Sequence, residues 1–139
     1  MKFFYLVILI GVFSFISANE VALAKNFKGD VYVVRGDKEL PIEVGTKIFE
    51  NDVIITKSKS TVGLIFQDNT RMSIGQNSEL VIEEYIFKPE QESFVTNLVK
   101  GTIECITGFI SKINPDAVKI KAKTATIGIR GTHFIVKAD

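Results

Sequence analysis

Cysteine and histidine are almost absent from this sequence, which contains one of each, Cys105 and His133. A single cysteine excludes an intramolecular disulfide, and one thiol with one imidazole is too small a ligand set for a zinc or iron site. The two residues are also the only candidate for a nucleophile and its base, but the sequence around Cys105 gives no context for an activated thiol. We therefore expect no catalytic residues, no metal and no cofactor.

The sequence also has almost no charge excess, because its 17 lysines and arginines are balanced by 16 aspartates and glutamates, for a formal net charge of +1. Without a basic surface the chain has little attraction for nucleic acid, which we exclude as a partner. A phosphate-binding glycine loop is also absent, since no helix is predicted after Gly128 and Gly131.

Long apolar segments are confined to the start of the chain, at residues 3–16. Their length of about 14 residues is short of the roughly 20 that cross a bilayer and is typical of a secretory signal peptide. Ala22 and Ala24 supply the small side chains required before the scissile bond, which predicts cleavage after Ala24. A cut after Ala18 is the weaker site, because Ile16 would occupy the third position. A retained leader that tethers the protein to a membrane is the alternative.

The sequence thus predicts a signal peptide, residues 1–24, and one domain, residues 25–139, that is periplasmic or secreted. Strand signals dominate the domain: short runs of branched and aromatic residues recur every 8 to 12 residues or so between clusters of Gly, Asp, Asn and Ser. No window after the leader shows a helical apolar period. We predict an all-β fold, an antiparallel β-sandwich or β-roll, with a solenoid-like roll left open. The predicted strands are 29–35, 52–56, 61–66, 70–74, 78–87, 94–99, 102–106, 118–122 and 127–136.

Turn chemistry predicts three hairpins. The first turns at Gly36. The second needs a three-residue loop, because only an odd number of loop residues places Leu64 and Met72 on the same face, and Asn69 is expected in the left-handed region. The third lies around residues 75–77.

Three lysines alternate with apolar residues in the predicted strand 118–122 and just after it: Lys119, Lys121 and Lys123. Such a strand has one solvated face, and its charges discourage pairing between sheet edges. An anion-binding strip is the functional alternative.

The last predicted strand, 127–136, does not keep a strict two-residue alternation of apolar side chains. Glycine inside a strand is typical of a bulge or bend, so we predict that Gly128 and Gly131 kink this closing strand. Arg130 lies between them and is expected to point away from the apolar side chains or to pair with a carboxylate. Contact between Arg130 and a ligand is the alternative.

These segments together resemble the FecR domain family. The resemblance runs over residues 27–136 through "GTKIFENDVIITKSKSTVGLIFQDNTRMSIGQNSELVI", "LVKGTIECITG" and "TATIGIRGTHFIV". Members often carry proline in the turn before the closing strand, where this chain has Lys123, which restores a backbone N–H and frees φ. The matching positions are a turn at Gly45, then Asp52, Thr56, Asp68, Thr70 and the run Arg130, Gly131 and Thr132.

The resemblance implies a periplasmic all-β module that acts as a sensor or protein-binding adaptor in cell-surface signalling, with a protein or envelope component as partner. In the namesake systems a cytoplasmic segment controls a sigma factor; only Met1 and Lys2 precede the apolar segment here, so we expect no such direct control. A structural protein that assembles with itself or with other envelope components is the alternative function. The motif and the lysine strand predict six binding residues: Arg130, Gly131, Thr132, Lys119, Lys121 and Lys123.

Overall fold

The computed structural model of the protein describes residues 20–123, 125–129 and 131–138. Most of them belong to strands, and one short helix, α1 (Phe109–Ile113), is followed by a 3-10 turn (Pro115–Ala117). The strands are β1 (Glu20–Lys28), β2 (Val31–Arg35), β3 (Lys38–Pro41), β4 (Lys47–Phe49), β5 (Val53–Thr56), β6 (Thr61–Phe66), β7 (Arg71–Ile74), β8 (Glu79–Ile86), β9 (Ser93–Ile106), β10 (Val118–Ala122), β11 (Ala125–Gly128) and β12 (His133–Ala138).

The long strand β9 is the centre of the sheet. Its first half pairs with β8 and β10, and its second half pairs with β7 and β12. The sheet continues from β8 through β5 and β2 to β3, and from β7 through β6 and β1 to β4, while β11 extends it beyond β10. Every strand pairing in the described residues is antiparallel apart from β9–β10, and the sheet curls into half a barrel. The predicted all-β fold is confirmed.

Side chains on the concave side of the sheet form the core. Three aromatic rings from β6, β8 and β9, those of Phe66, Tyr85 and Phe94, pack with centroids 4.7–5.4 Å apart. Burying each ring stabilises the fold by roughly 1.5–3 kcal/mol, and ring pairs in such tilted contacts add to this. Fully buried aliphatic side chains surround the rings: Ile48, Ile54, Leu64, Met72, Ile74, Leu80, Ile82, Leu98, Ile103 and Ile110.

Two of the predicted turns are confirmed and one is wrong. Gly36 joins β2 to β3 with a φ of 58°. The N–H of Phe66 bonds to the carbonyl of Thr70 at 2.9 Å, which leaves a three-residue loop with Asn69 at a φ of 68°. The turn at residues 75–77 exists, but β7 and β8 do not pair with each other, because each pairs with a different half of β9.

The closing run is two strands rather than one kinked strand. β11 pairs with β10 and ends at Gly128, whereas β12 begins at His133 and pairs with β9. The break explains the failed alternation, since Ile129 is buried beneath the first pairing and Val136 beneath the second. Gly131 has a φ of 143°, where a side chain would be strained, but a Cβ on Gly128 would meet nothing within 4 Å. Arg130 lies outside the described residues.

The end of the predicted leader belongs to the sheet. β1 begins at Glu20 and pairs with β4 on one side and β6 on the other. Val21, Ala22 and Ala24 are at most 2% exposed. These residues are therefore part of the core of the domain.

Candidate functional site

Within the described residues the last strand, β12, pairs on one side only, so its other edge is open. The N–H of Thr107 bonds to the carbonyl of Thr132 at 2.9 Å, so the backbone groups of even-numbered residues in β12 point toward β9. The backbone N–H and C=O groups of His133, Ile135 and Lys137 therefore point away from it. No other strand of the described chain pairs with these groups.

Three other strands also end the sheet, and each is a poorer template for a partner. β3 carries Lys38, Glu39 and Pro41, and both charge and proline protect natural edges from pairing. β4 has three residues and β11 has four. β12 has six residues without proline, and its Ile135 side chain is 65% exposed. It is the longest and most apolar of the described edges.

A cleft opens at the start of β12. Gly131 and Thr132 form one wall, and Ser111 and Lys112 of α1 form another, around a volume of about 430 Å³. A neighbouring cavity of about 450 Å³ is lined by Lys119, Gly128 and Ile129. Pro115 and Asp116 of the 3-10 turn line both cavities. The open edge therefore leads directly into a cleft whose walls carry one lysine, Lys112, and one carboxylate, Asp116.

The helix that forms this wall is anchored by a buried carboxylate. The side chain of Asp68 accepts hydrogen bonds from the Tyr85 hydroxyl, from the N–H and hydroxyl of Thr70, and from the N–H of Ile110 in α1, at 2.9–3.2 Å. The carbonyl of Asp68 accepts from the N–H of Phe109 at 2.8 Å. Gly108 makes this approach possible, because a Cβ there would lie 2.1 Å from the same carbonyl oxygen.

The polar residues of the family motif thus have structural roles. Asp52 is 1% exposed and accepts from Nε and Nη2 of Arg35 at 2.9 and 2.8 Å and from the N–H of Phe49. The hydrogen bond to this carboxylate raises the pKa of Arg35. Thr56 donates to the carbonyl of Gly75 and accepts from a backbone N–H, so it closes a neighbouring turn.

The predicted binding residues divide into three groups. Gly131, Thr132 and Lys119 lie at the two adjoining cavities. Lys121 forms an ion pair with Glu83 of β8 at 2.6 Å, and Lys123 lies exposed in the turn after β10 with a φ of 55°. Lys121 and Lys123 therefore differ in their surroundings, and proline could not adopt the φ of Lys123. Arg130, also predicted, is outside the described residues.

The sequence did not predict Ser111 and Lys112 as site residues, because α1 is too short for its apolar period to be detected. It did not predict β12 as a separate strand, because this segment was part of the longer predicted strand 127–136. The resemblance to the family motif was the one signal that pointed to this part of the chain.

Cys105 and His133 do not form a catalytic pair. Cys105 is buried, and its burial, with a smaller contribution from Asp68, raises the pKa of its thiol to about 12. His133 is opposite Ile106, not Cys105, and its Nε2 lies 2.7 Å from Oε1 of Glu104 on the solvent face. The thiol and the imidazole therefore lie on opposite faces of the sheet.

Within residues 20–123, 125–129 and 131–138, no group of three or more His, Cys, Asp and Glu side chains is placed to hold a metal ion. No helix in this part of the chain has the length and apolar character to span a membrane.

Comparison with known proteins gives one match. No curated protein and no solved structure matches the chain. The family model described as FecR protein matches residues 52–139, which include β5 to β12, the Asp68 anchor and the cleft. This match covers more than half of the sequence and agrees with the motif positions in the turns and the closing run. The chain belongs to the FecR protein family.

Proposed function

We propose that this protein is a non-catalytic, exported sensor or adaptor that binds a protein partner of the cell envelope at the open edge of β12. Membership of a signalling family supports the sensor role. The observation that carries the proposal is the edge itself: six residues paired on one side with β9, with Ile135 exposed on the strand.

A partner segment would bind as an added strand. Outward backbone groups of His133, Ile135 and Lys137 would form its main-chain hydrogen bonds, which give affinity without sequence specificity. Side chains would supply the specificity: the apolar surface of Ile135, and the polar groups of Ser111 and Lys112 in the cleft at the end of the strand. We expect a partner strand with an apolar residue opposite Ile135 and an acidic residue near Lys112.

Export supports an envelope location for this role. The apolar segment 3–16 would direct the chain to the periplasm or the outside of the cell. If the leader were retained, the same segment would tether the domain to the membrane, and the open edge would still face a periplasmic partner.

A proline variant tests the edge. Ile135→Pro removes an outward N–H and leaves the pairing of β12 with β9 intact. Glu39→Pro is the matched control, because Glu39 is an exposed residue of the β3 edge at a position equivalent to that of the natural Pro41. Both variants should keep the circular dichroism spectrum and melting temperature of the wild type.

We expect tagged Ile135→Pro to recover about tenfold less of the principal envelope partner than the wild type, as the loss of one hydrogen bond and of the Ile135 side-chain contact implies. Recovery with Glu39→Pro should be unchanged, measured by quantitative mass spectrometry. Equal recovery with Ile135→Pro and the wild type would rule out the β12 edge as the binding site.

Self-assembly is the second candidate, because the same open edge on two copies could pair antiparallel. Sedimentation at micromolar concentration distinguishes the adaptor function from self-assembly. A monomer supports the adaptor, whereas oligomers that Ile135→Pro dissociates support assembly of the protein with itself.

A further inference from the structure

We infer that Glu20–Lys28 stays whole in the mature protein, and that export processing occurs ahead of it, with Ala18 as the residue before the scissile bond. This inference rests on the proposed export. It differs from the cleavage site that small residues alone predict, after Ala24, and the reason is the structural role of the five residues that such a cut would remove.

The first residues of β1 form all of the pairing of β4. Glu20, Ala22 and Leu23 lie opposite Phe49, Ile48 and Lys47, and β4 has no other strand partner in the described chain. A cut after Ala24 would therefore remove the strand that holds β4 and would expose Ile48, which is fully buried.

The same residues also cover β6. Ala22, Leu23 and Ala24 lie opposite Phe66, Ile65 and Leu64. A cut after Ala24 would thus uncover one side of the core beside Phe66 and Leu64, both about 2% exposed. These two residues belong to the hydrophobic cluster that includes the three packed aromatic rings.

Backbone hydrogen bonds hold this part of β1 in place. The carbonyl of Val21 accepts from the N–H of Gln67 at 3.1 Å, and the Gln67 side-chain amide donates to the carbonyl of Glu20. At the other end, the N–H of Ala24 bonds to Thr46, and the carbonyl of Ala24 accepts from Gly45. Removal of the segment would leave the partners at Gln67 and Gly45 unpaired.

The site at Ala18 is chemically sufficient. Signal peptidase requires a small side chain directly before the scissile bond, and Ala18 supplies it. At the third position before the bond the enzyme accepts an uncharged aliphatic side chain such as that of Ile16, although less readily than a small one. A less favourable residue at one position slows processing, whereas loss of half of β1 leaves a product without its core strand. A cut after Ala18 leaves every residue of β1 in place, and this decides between the two sites.

The N-terminus of the exported protein tests the inference. The full chain, produced in a bacterial host and recovered from the periplasm or the medium, should begin at Asn19 by intact mass and N-terminal sequencing. Exported protein that begins at Lys25, or that keeps Met1, overturns the inference while leaving the proposed export intact. Protein recovered only from the cytosol contradicts both.

Two variants make the test specific. Lys25→Pro places proline directly after a bond at Ala24, where it blocks signal peptidase, and the fold should tolerate it, since Lys25 is exposed and lies at the irregularity in the β1–β6 register. It should be processed like the wild type. Ala18→Phe should accumulate the precursor. The opposite pattern, with precursor accumulating in Lys25→Pro, overturns the assignment.

Discussion

Tyr85 and Asp68 are joined by two hydrogen bonds: the phenol donates to Oδ1 of the carboxylate at 2.9 Å and accepts from the backbone N–H of Asp68 at 2.8 Å. Burial and the neighbouring carboxylate raise the pKa of Tyr85, so the phenol stays protonated and remains a donor. Asp68 also accepts a hydrogen bond from the N–H of Ile110, so this pair is connected to α1 and to the cleft wall that α1 forms.

We expect Tyr85→Phe to lower the free energy of unfolding by about 1–3 kcal/mol, because it leaves a buried N–H and a carboxylate oxygen short of a partner. The ring and its contacts with Phe66 and Phe94 are kept, so the loss reports the hydroxyl alone. Urea denaturation measures it. A variant as stable as the wild type would show that the Asp68 cluster does not depend on the phenol.

The two glycines of the closing run should respond differently to alanine. Gly131→Ala forces a side chain into a positive φ and should cost about 1 kcal/mol or more. Gly128→Ala meets open space and has no positive φ, so it should be neutral or slightly stabilising. The comparison uses urea midpoints of the two variants. Equal losses would show that both glycines serve the bend.

Thr96 has a fully buried hydroxyl with no hydrogen-bond partner among the described residues. Its neighbours in the sheet are Ile82 and Ile120. Thr96→Val keeps the shape and removes the unsatisfied oxygen, so it should raise the free energy of unfolding by about 1 kcal/mol. Thr56→Val is the control: its hydroxyl has two partners, so the same change should destabilise by a similar amount. A loss in both variants would contradict this account of Thr96.

Cys105 should make the protein sensitive to alkali. Its folded pKa, about 12, is above the ordinary value of 9.0, so above pH 9 the unfolded thiol ionises while the folded one does not. Its contribution to stability is complete below pH 9 and falls by up to about 1.4 kcal/mol per pH unit as the pH rises toward 12. Cys105→Ala should show a shallower loss over that window in urea titrations. Parallel curves would assign the alkaline loss to other groups.

Local patterns predicted the parts of the fold that depend on local chemistry. Strand β6 and the left-handed Asn69 follow from alternation and loop parity over a few residues. β9 was divided in two because a glycine interrupted its pattern, yet the strand continues through Gly101. This residue has a φ of 99°, and a Cβ on it would lie 2.0 Å from Oγ of Ser78. β1 was missed because its alanines resemble a cleavage site.

The candidate site was less accessible from sequence. The family motif pointed to Gly131 and Thr132, which do line the cleft. The three lysines looked equivalent, but the partner of Lys121 is Glu83, 38 residues away, and only the folded sheet brings these two together. The edge of β12 is open because β9 is its one strand partner within the described residues, and no local pattern in the sequence carries that information.

The passage of β9 through both halves of the sheet has a consequence for how the protein comes apart. Each half relies on the same 14-residue backbone, so we expect that neither half melts while the other survives. We expect one cooperative transition. A protease cut at Gly101 would leave no folded fragment on either side.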